Sequence, residues 1–230
     1  MTLAYNSDPT LKIAMLEIVA AHEAADEIVQ GTYFDETGPK LRACAVGCTL
    51  HSYAVATKTA GFEYSQHAIY DEILGKGGRT LAHLEDRIFE GLPVDACATW
   101  PRRFLEAIRP GADLSLVWAK FAFWLLTEEV ALNATKDRRV KESVDNVAAL
   151  YLRVIAGETV RNDEWAASAS SAASSADSAA ASSAASAASS AYAAAYAASS
   201  AAASAASAAS SAAASFARMA DKLVSILMEF

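Results

Sequence analysis

This sequence is short of chain breakers, of cysteine and of basic charge, and each shortage closes off a class of protein. No segment alternates apolar and polar residues at period two over more than a few positions, so no strands are expected and the fold class reads as all-α. Three cysteines, an odd number, do not make a disulfide framework. Together with the lack of a charged and apolar leader over residues 1–9, they point to a reducing interior, the cytoplasm. A net charge of −8 argues against a nucleic-acid partner, which would call for a basic stripe. The longest apolar run, 116–126, carries Lys120 and is too short to span a bilayer, so no membrane association is expected. Between Asp163 and Phe230 there is neither glycine nor proline.

What fills that uninterrupted stretch is two residue types. Of the fifty residues 166–215, twenty-nine are Ala and eighteen are Ser, with only Asp177, Tyr192 and Tyr196 besides. Such a composition suggests low complexity, but the serines are placed. From Ser171 through Ser175, Ser178, Ser182, Ser186 and Ser189 to Ser215 the steps are fours and threes, with Ala193 and Tyr196 standing at two of the positions. The mean step, about 3.67, is an 11-residue repeat, the period of a nearly straight or slightly right-handed helix. The opposite face, including Ala172, Ala184, Ala191, Ala195, Ala202 and Ala213, is alanine throughout. Eighteen serines in place of alanine cost roughly 9 kcal/mol of helix propensity, so the alanine face must gain by packing. Side chains that end at Cβ let a second helix approach to about 8 Å.

A helix over 163–230 would be roughly 100 Å long. The rest of the chain should measure roughly 40 Å across. The long helix therefore either pairs with a second copy or folds back as a hairpin near Ser189 and Ser190. Pairing is the expectation, because no turn residue is present. Phe216, Met219, Leu223, Ile226, Leu227 and Phe230 recur at helical spacing and form an apolar anchor at the end.

The first 157 residues read as a globular body of about seven or eight helices, with 158–230 as the long Ala/Ser-rich helix. Asp8 caps a first helix with Pro9 at its first position, running to Gly31. Further helices are expected over 41–60, from a cap at Ser65 to 74, from a cap at Thr80 over 81–90, from Thr99 to 108, from Asp113 over 114–128, and over 136–156. The helix 114–128 is apolar nearly all round, the mark of a central core helix. Gly157 ends the body, and Asn162 caps the next helix.

Two clusters carry chemistry-bearing residues. Cys44, Cys48 and His51 fall on one face of the 41–60 helix, with His22 on the inner stripe of the first. Two thiolates and two imidazoles could hold zinc, or a thiol could act with a histidine base. The structural alternative is that the cysteines and Gly47 are small residues for close packing and His51 is a hydrogen-bonded core histidine. The second cluster is Lys76, Gly77, Gly78, Arg79 and Thr80, where backbone N–H groups at a helix start and two cations would suit a phosphate. Its alternative is a glycine-rich helix stop, and it is not a Walker motif. Trp100 and Arg102, with Arg103, could stack on and pair with a nucleotide, or Trp100-Pro101 could be a packed corner. His67 and His83 read as surface or core residues.

Cys44-Ala-Val-Gly-Cys-Thr-Leu-His51, the segment Leu84-Glu-Asp-Arg-Ile-Phe-Glu-Gly-Leu-Pro93 and the Ala-rich C-terminal helix together resemble a group of uncharacterised proteins from bacteriophages and bacteria. The resemblance covers most of the chain and implies no activity. The reading that follows is a non-catalytic interaction or ligand-binding protein, homo-oligomeric through the Ala face of 166–215. A phage origin would imply capture of a host protein or sequestration of a small phosphorylated signalling molecule. Two alternatives are a metal-dependent or thiol enzyme on the Cys/His cluster and an ice-binding helix. Ice-binding faces of this kind usually carry threonine, and the tract has none.

Overall fold

In a computed structural model the chain is mostly helical, and the structure describes residues 2–38, 40–59, 67–129, 138–174 and 209–230. The expected cap at Ser65 and the tract from 175 to 208 lie outside the described residues. No helix among the described residues is long and apolar enough to cross a membrane. The chain forms two compact units, Met1–Ser115 with Phe216–Phe230, and Leu116–Ser215. The division therefore differs from the expected one at residue 157: the end of the last helix belongs with the N-terminal unit, and residues 116–157 belong with the start of the tract.

The first unit opens on α1, Pro9–Ala24, where the Asp8 carboxylate accepts from the Thr10 N–H at 2.7 Å and Pro9 takes the first helical position. The helix stops seven residues before Gly31, because the chain turns at Asp26 with φ 55° and enters an extended stretch. There Ala43 is held from both sides. Its N–H donates to the Glu27 carbonyl and its carbonyl accepts from the Val29 N–H, both at 2.9 Å, while β1 (Phe34–Asp35) pairs antiparallel with β2 (Arg42–Ala43). Two residues per strand are too few to show alternation, which is why the sequence gives no strand signal. Pulling Ala43 into this pairing moves the start of the next helix: α2 is Ala45–Thr57, with Cys44 as its N-cap.

After α2 come α3 (Tyr70–Leu74), α4 (Gly78–Gly91), α5 (Val94–Cys97) and α6 (Trp100–Ala107). α1 packs on α2 and α6, and α2 on α4, around a core that includes Met15, Leu50, Ile88, Phe89, Trp100 and Phe104. The last helix, here called α10 (Ala209–Leu227), adds its apolar face: Phe216, Met219, Leu223, Ile226 and Leu227 are all buried. Phe216 lies on Gly91, where a Cβ would come within 2.2 Å of the phenyl ring.

The second unit is built from α7 (Val117–Trp124), continued by a π-turn over Leu125–Glu129, α8 (Arg138–Ile155) and α9 (Asn162–Ser174). Ala119, Ala122, Val147 and Tyr151 form its core, with Trp118, Val154 and Trp165 packed around them. Asn162 is the first residue of α9 and not its cap. Glu164 reaches back to accept from the Arg161 N–H at 3.0 Å, half of a capping box that puts the cap at Arg161, one residue before the expected Asn162.

Candidate functional site

The ionisable residues of the first unit concentrate where α1, α2 and α4 meet. A chain of three runs through His22, near the end of α1. His22 Nδ1 lies 2.6 Å from Glu27 Oε2, and His22 Nε2 lies 2.9 Å from His51 Nδ1. The link is possible because α1 ends early: Glu27 sits on the extended stretch held by Ala43, which turns its carboxylate back towards His22. Phe34 lies against the His51 ring at 5.9 Å between centroids. Burial, and then the neighbouring His22, hold His51 below the ordinary histidine range.

Cys44 and Cys48 stand apart from this chain. As N-cap, Cys44 lies outside the helix proper, so it does not share the face of His51. Its Sγ accepts from the Gly47 N–H at 3.5 Å, and its thiol lies beside Asp86. A helix N-terminus ordinarily favours a thiolate. Here burial outweighs it, with Asp86 adding to the effect, and the thiol is pushed up to about 12. Cys48 is buried with its Sγ 3.9 Å from the Ala43 carbonyl, and burial raises it still further. Of the four residues considered for zinc, His22 pairs with His51, Cys44 lies beside Asp86, and Cys48 faces the Ala43 carbonyl. Among the described residues no group of three or more His, Cys, Asp or Glu side chains is arranged to hold a metal ion.

Behind Cys44 lies Glu85, fully buried. Tyr70 donates its hydroxyl to Glu85 Oε2 at 2.6 Å and Thr49 donates to Oε1 at 3.2 Å, while Trp100 Nε1 donates to the Glu85 backbone carbonyl at 3.0 Å. Desolvation outweighs both side-chain hydrogen bonds, and the carboxyl is pushed up to about 8. At neutral pH this is mostly a neutral acid.

In the glycine run, the Gly75 N–H donates to the Asp71 carbonyl at 3.1 Å and the Gly78 N–H to the Gly75 carbonyl at 2.9 Å. Gly77, at φ +96°, is the N-cap of α4, and a Cβ on Gly78 would lie 2.1 Å from the Tyr70 carbonyl oxygen. The glycines therefore permit α3 and α4 to meet closely. The Asp71 carboxylate occupies the helix start, accepting from the Arg79 N–H at 2.9 Å, with the Arg79 guanidinium also turned to it at 3.9 Å. Thr80 falls inside the helix, and Lys76 lies near Asp113. Trp100 is completely buried, and Arg102 pairs with Glu23 at 2.7 Å and Glu106 at 3.4 Å. Trp100 and Arg102 are thus spent on the core and on surface carboxylates, and they form no common set with residues 76–80.

Sequence reasoning passed over Glu27, Tyr33, Tyr70, Glu85 and Asp86. Glu85 was legible: it stands on the inward stripe of α4 between Leu81 and Ile88, where a carboxylate is out of place. Compared with family models, curated proteins and solved structures, the chain matches none of them.

Proposed function

We propose that this protein is a non-catalytic interaction protein, a helical body that carries the Ala/Ser-rich segment as a very long self-association helix. The observation that carries this reading is the helical backbone at both ends of the repeat. α9 runs into it as far as Ser174, and α10 leaves it from Ala209, with the apolar face of α10 from Phe216 on buried. A helix anchored at its far end and lined with alanine suits a second copy of itself as first partner, and on the phage resemblance a helical host protein as another. A phosphorylated small molecule is less well supported, because Asp71 already occupies the start of α4. The thiol-enzyme alternative is less well supported too, because both thiols of the cluster are held well above neutral pH. Three buried, unpaired cysteines favour a reducing compartment, the cytoplasm.

The native mass of the full chain tests the reading. Sedimentation equilibrium should return a dimer or a higher closed oligomer at micromolar concentration. A monomer at 100-fold higher concentration would remove self-association from the proposal.

A further inference from the structure

In the chain Glu27–His22–His51 each hydrogen bond dictates the next. An ionised carboxylate only accepts, so the proton between Glu27 Oε2 and His22 Nδ1, 2.6 Å apart, belongs to the imidazole. A neutral His22 carries one N–H, and with that proton on Nδ1 its Nε2 is a bare acceptor. The nitrogen facing it at 2.9 Å, His51 Nδ1, must then be the donor, and a neutral His51 protonated on Nδ1 has no proton on Nε2. His22 is buried, whereas His51 is only partly so. The carboxylate thus decides, through a buried ring, which nitrogen of a partly exposed ring is bare.

One added proton reverses the second link. Placed on His22, it makes an imidazolium that lies against the Glu27 carboxylate and donates from Nε2 to His51 Nδ1, whose own proton is then carried on Nε2. The balance needs only N–H bonds: a proton from water joins His51 at Nε2, and the Nδ1 proton crosses to His22 Nε2. Keeping the charge on His51 is opposed by its burial and by His22, and favoured only by Glu36 and Glu27. The other ionisable groups on the neighbouring elements are engaged elsewhere. Glu23 of α1 pairs with Arg102 of α6, Lys40 donates to the Ala25 carbonyl, and Asp35 of β1 is held by Thr37 with Arg42 of β2 nearby. Cys48 of α2 is a buried thiol and Glu85 of α4 mostly a neutral acid.

We propose that this chain is a pH-sensitive tautomer switch, in which a proton taken up by His22 turns His51 Nε2 from a hydrogen-bond acceptor into a donor while both links of the chain are kept. A group that meets this edge of His51 must offer a donor above the step and an acceptor below it. Only a second proton sets two donors face to face and opens the link between the rings. The switch lies within the first unit and does not rest on self-association.

Nitrogen-15 NMR of the histidine side chains in the full chain, followed from about pH 9 down to about pH 5, tests it, because protonated and bare ring nitrogens resonate far apart. Above the step His51 should show a protonated Nδ1 and a bare Nε2. Below it His22 should be protonated on both nitrogens, with the two His51 signals exchanged. Glu27→Gln is the control: an amide offers a donor as well as an acceptor, so His22 is no longer confined to one tautomer and the second His51 form should appear above the step. If that variant fails to fold, the pH series on the unaltered chain decides by itself. A protonated His51 Nε2 at every pH, a His51 protonated on both nitrogens while His22 stays neutral, or a folded Glu27→Gln chain that keeps the Nδ1–H form of His51 alone would each overturn the proposal.

Discussion

The fully buried Glu85 carboxyl, held by the Tyr70 and Thr49 hydroxyls, is the group whose behaviour the structure specifies best. Glu85 has a folded-state value of about 8 against an ordinary 4.5, so between those two pH values the folded chain holds a proton that the unfolded chain gives up. The stability associated with that proton is fully present below pH 4.5 and is lost as pH rises towards 8. By linkage the effect is at most about 5 kcal/mol, an upper figure for a group this deeply buried. Glu85→Gln keeps the shape and the acceptor while removing the charge. It should raise the urea midpoint at pH 8 to 9 by far more than at pH 5, and equal changes at the two ends would show that Glu85 is ionised in the fold. The histidines work the other way. His51, His67 and His83 are all held below their ordinary 6.5, so the unfolded chain takes up protons first and stability is lost as pH falls through that value. Below pH 6.5 the histidine effect therefore opposes that of Glu85, and above it only the Glu85 effect remains. His51→Gln combined with His67→Gln should make the acid limb shallower in the same urea series, and an acid limb of unchanged steepness would assign the loss to other groups.

At the scale of the element, helix type and order were legible where the signal is local. Asp8 with Pro9, Thr99 before Trp100-Pro101, and the apolar spacing of 216–227 all fall where helices begin or dock, because caps and 3.6-residue periodicity act within one or two turns. The start of α4 lies before the expected cap at Thr80 for the opposite reason. Its acceptor is Asp71, eight residues back on another helix, and no local pattern reports that. α2 was likewise begun too early, because the pull on Ala43 comes from Glu27, Val29 and Phe34. The candidate site shares this limit: the sequence set His22 beside His51, but Glu27, Asp86 and Tyr33 join through turns that only the fold supplies. Gly47 tests how tightly those turns are held. A Cβ there would lie 2.3 Å from the Tyr33 carbonyl oxygen, a backbone atom that also receives the Cys44 N–H and so has little freedom to yield. Gly47→Ala should cost about 1 to 3 kcal/mol, as overpacking usually does, and should disturb the Tyr33 and His67 resonances together. A neutral effect on the urea midpoint would mean that the loop moves aside and the Tyr33 clamp is soft.

For the whole molecule, the proposed self-association depends on which face of the Ala/Ser repeat would meet a second copy. Ala184, Ala191, Ala195 and Ala202 share the face without polar atoms, whereas Ser186, Ser200 and Ser207 share the hydroxyl stripe. These positions lie outside the described residues, and their faces are assigned from the repeat alone. Two helices that approach to about 8 Å do so over side chains no longer than a methyl group. Ala191→Leu with Ala195→Leu then has no room at the contact and should cost roughly 1 to 3 kcal/mol per site, weakening the oligomer. Ser200→Lys with Ser207→Lys places long charged side chains on the water-facing stripe and should change stability by no more than about 0.5 kcal/mol. The two variants separate the faces because each alters one and leaves the other intact. Sedimentation equilibrium and thermal melting of both should show the leucine variant dissociated and the lysine variant unchanged. The reverse result would put the serine stripe at the contact, with interhelical hydrogen bonds in place of alanine packing.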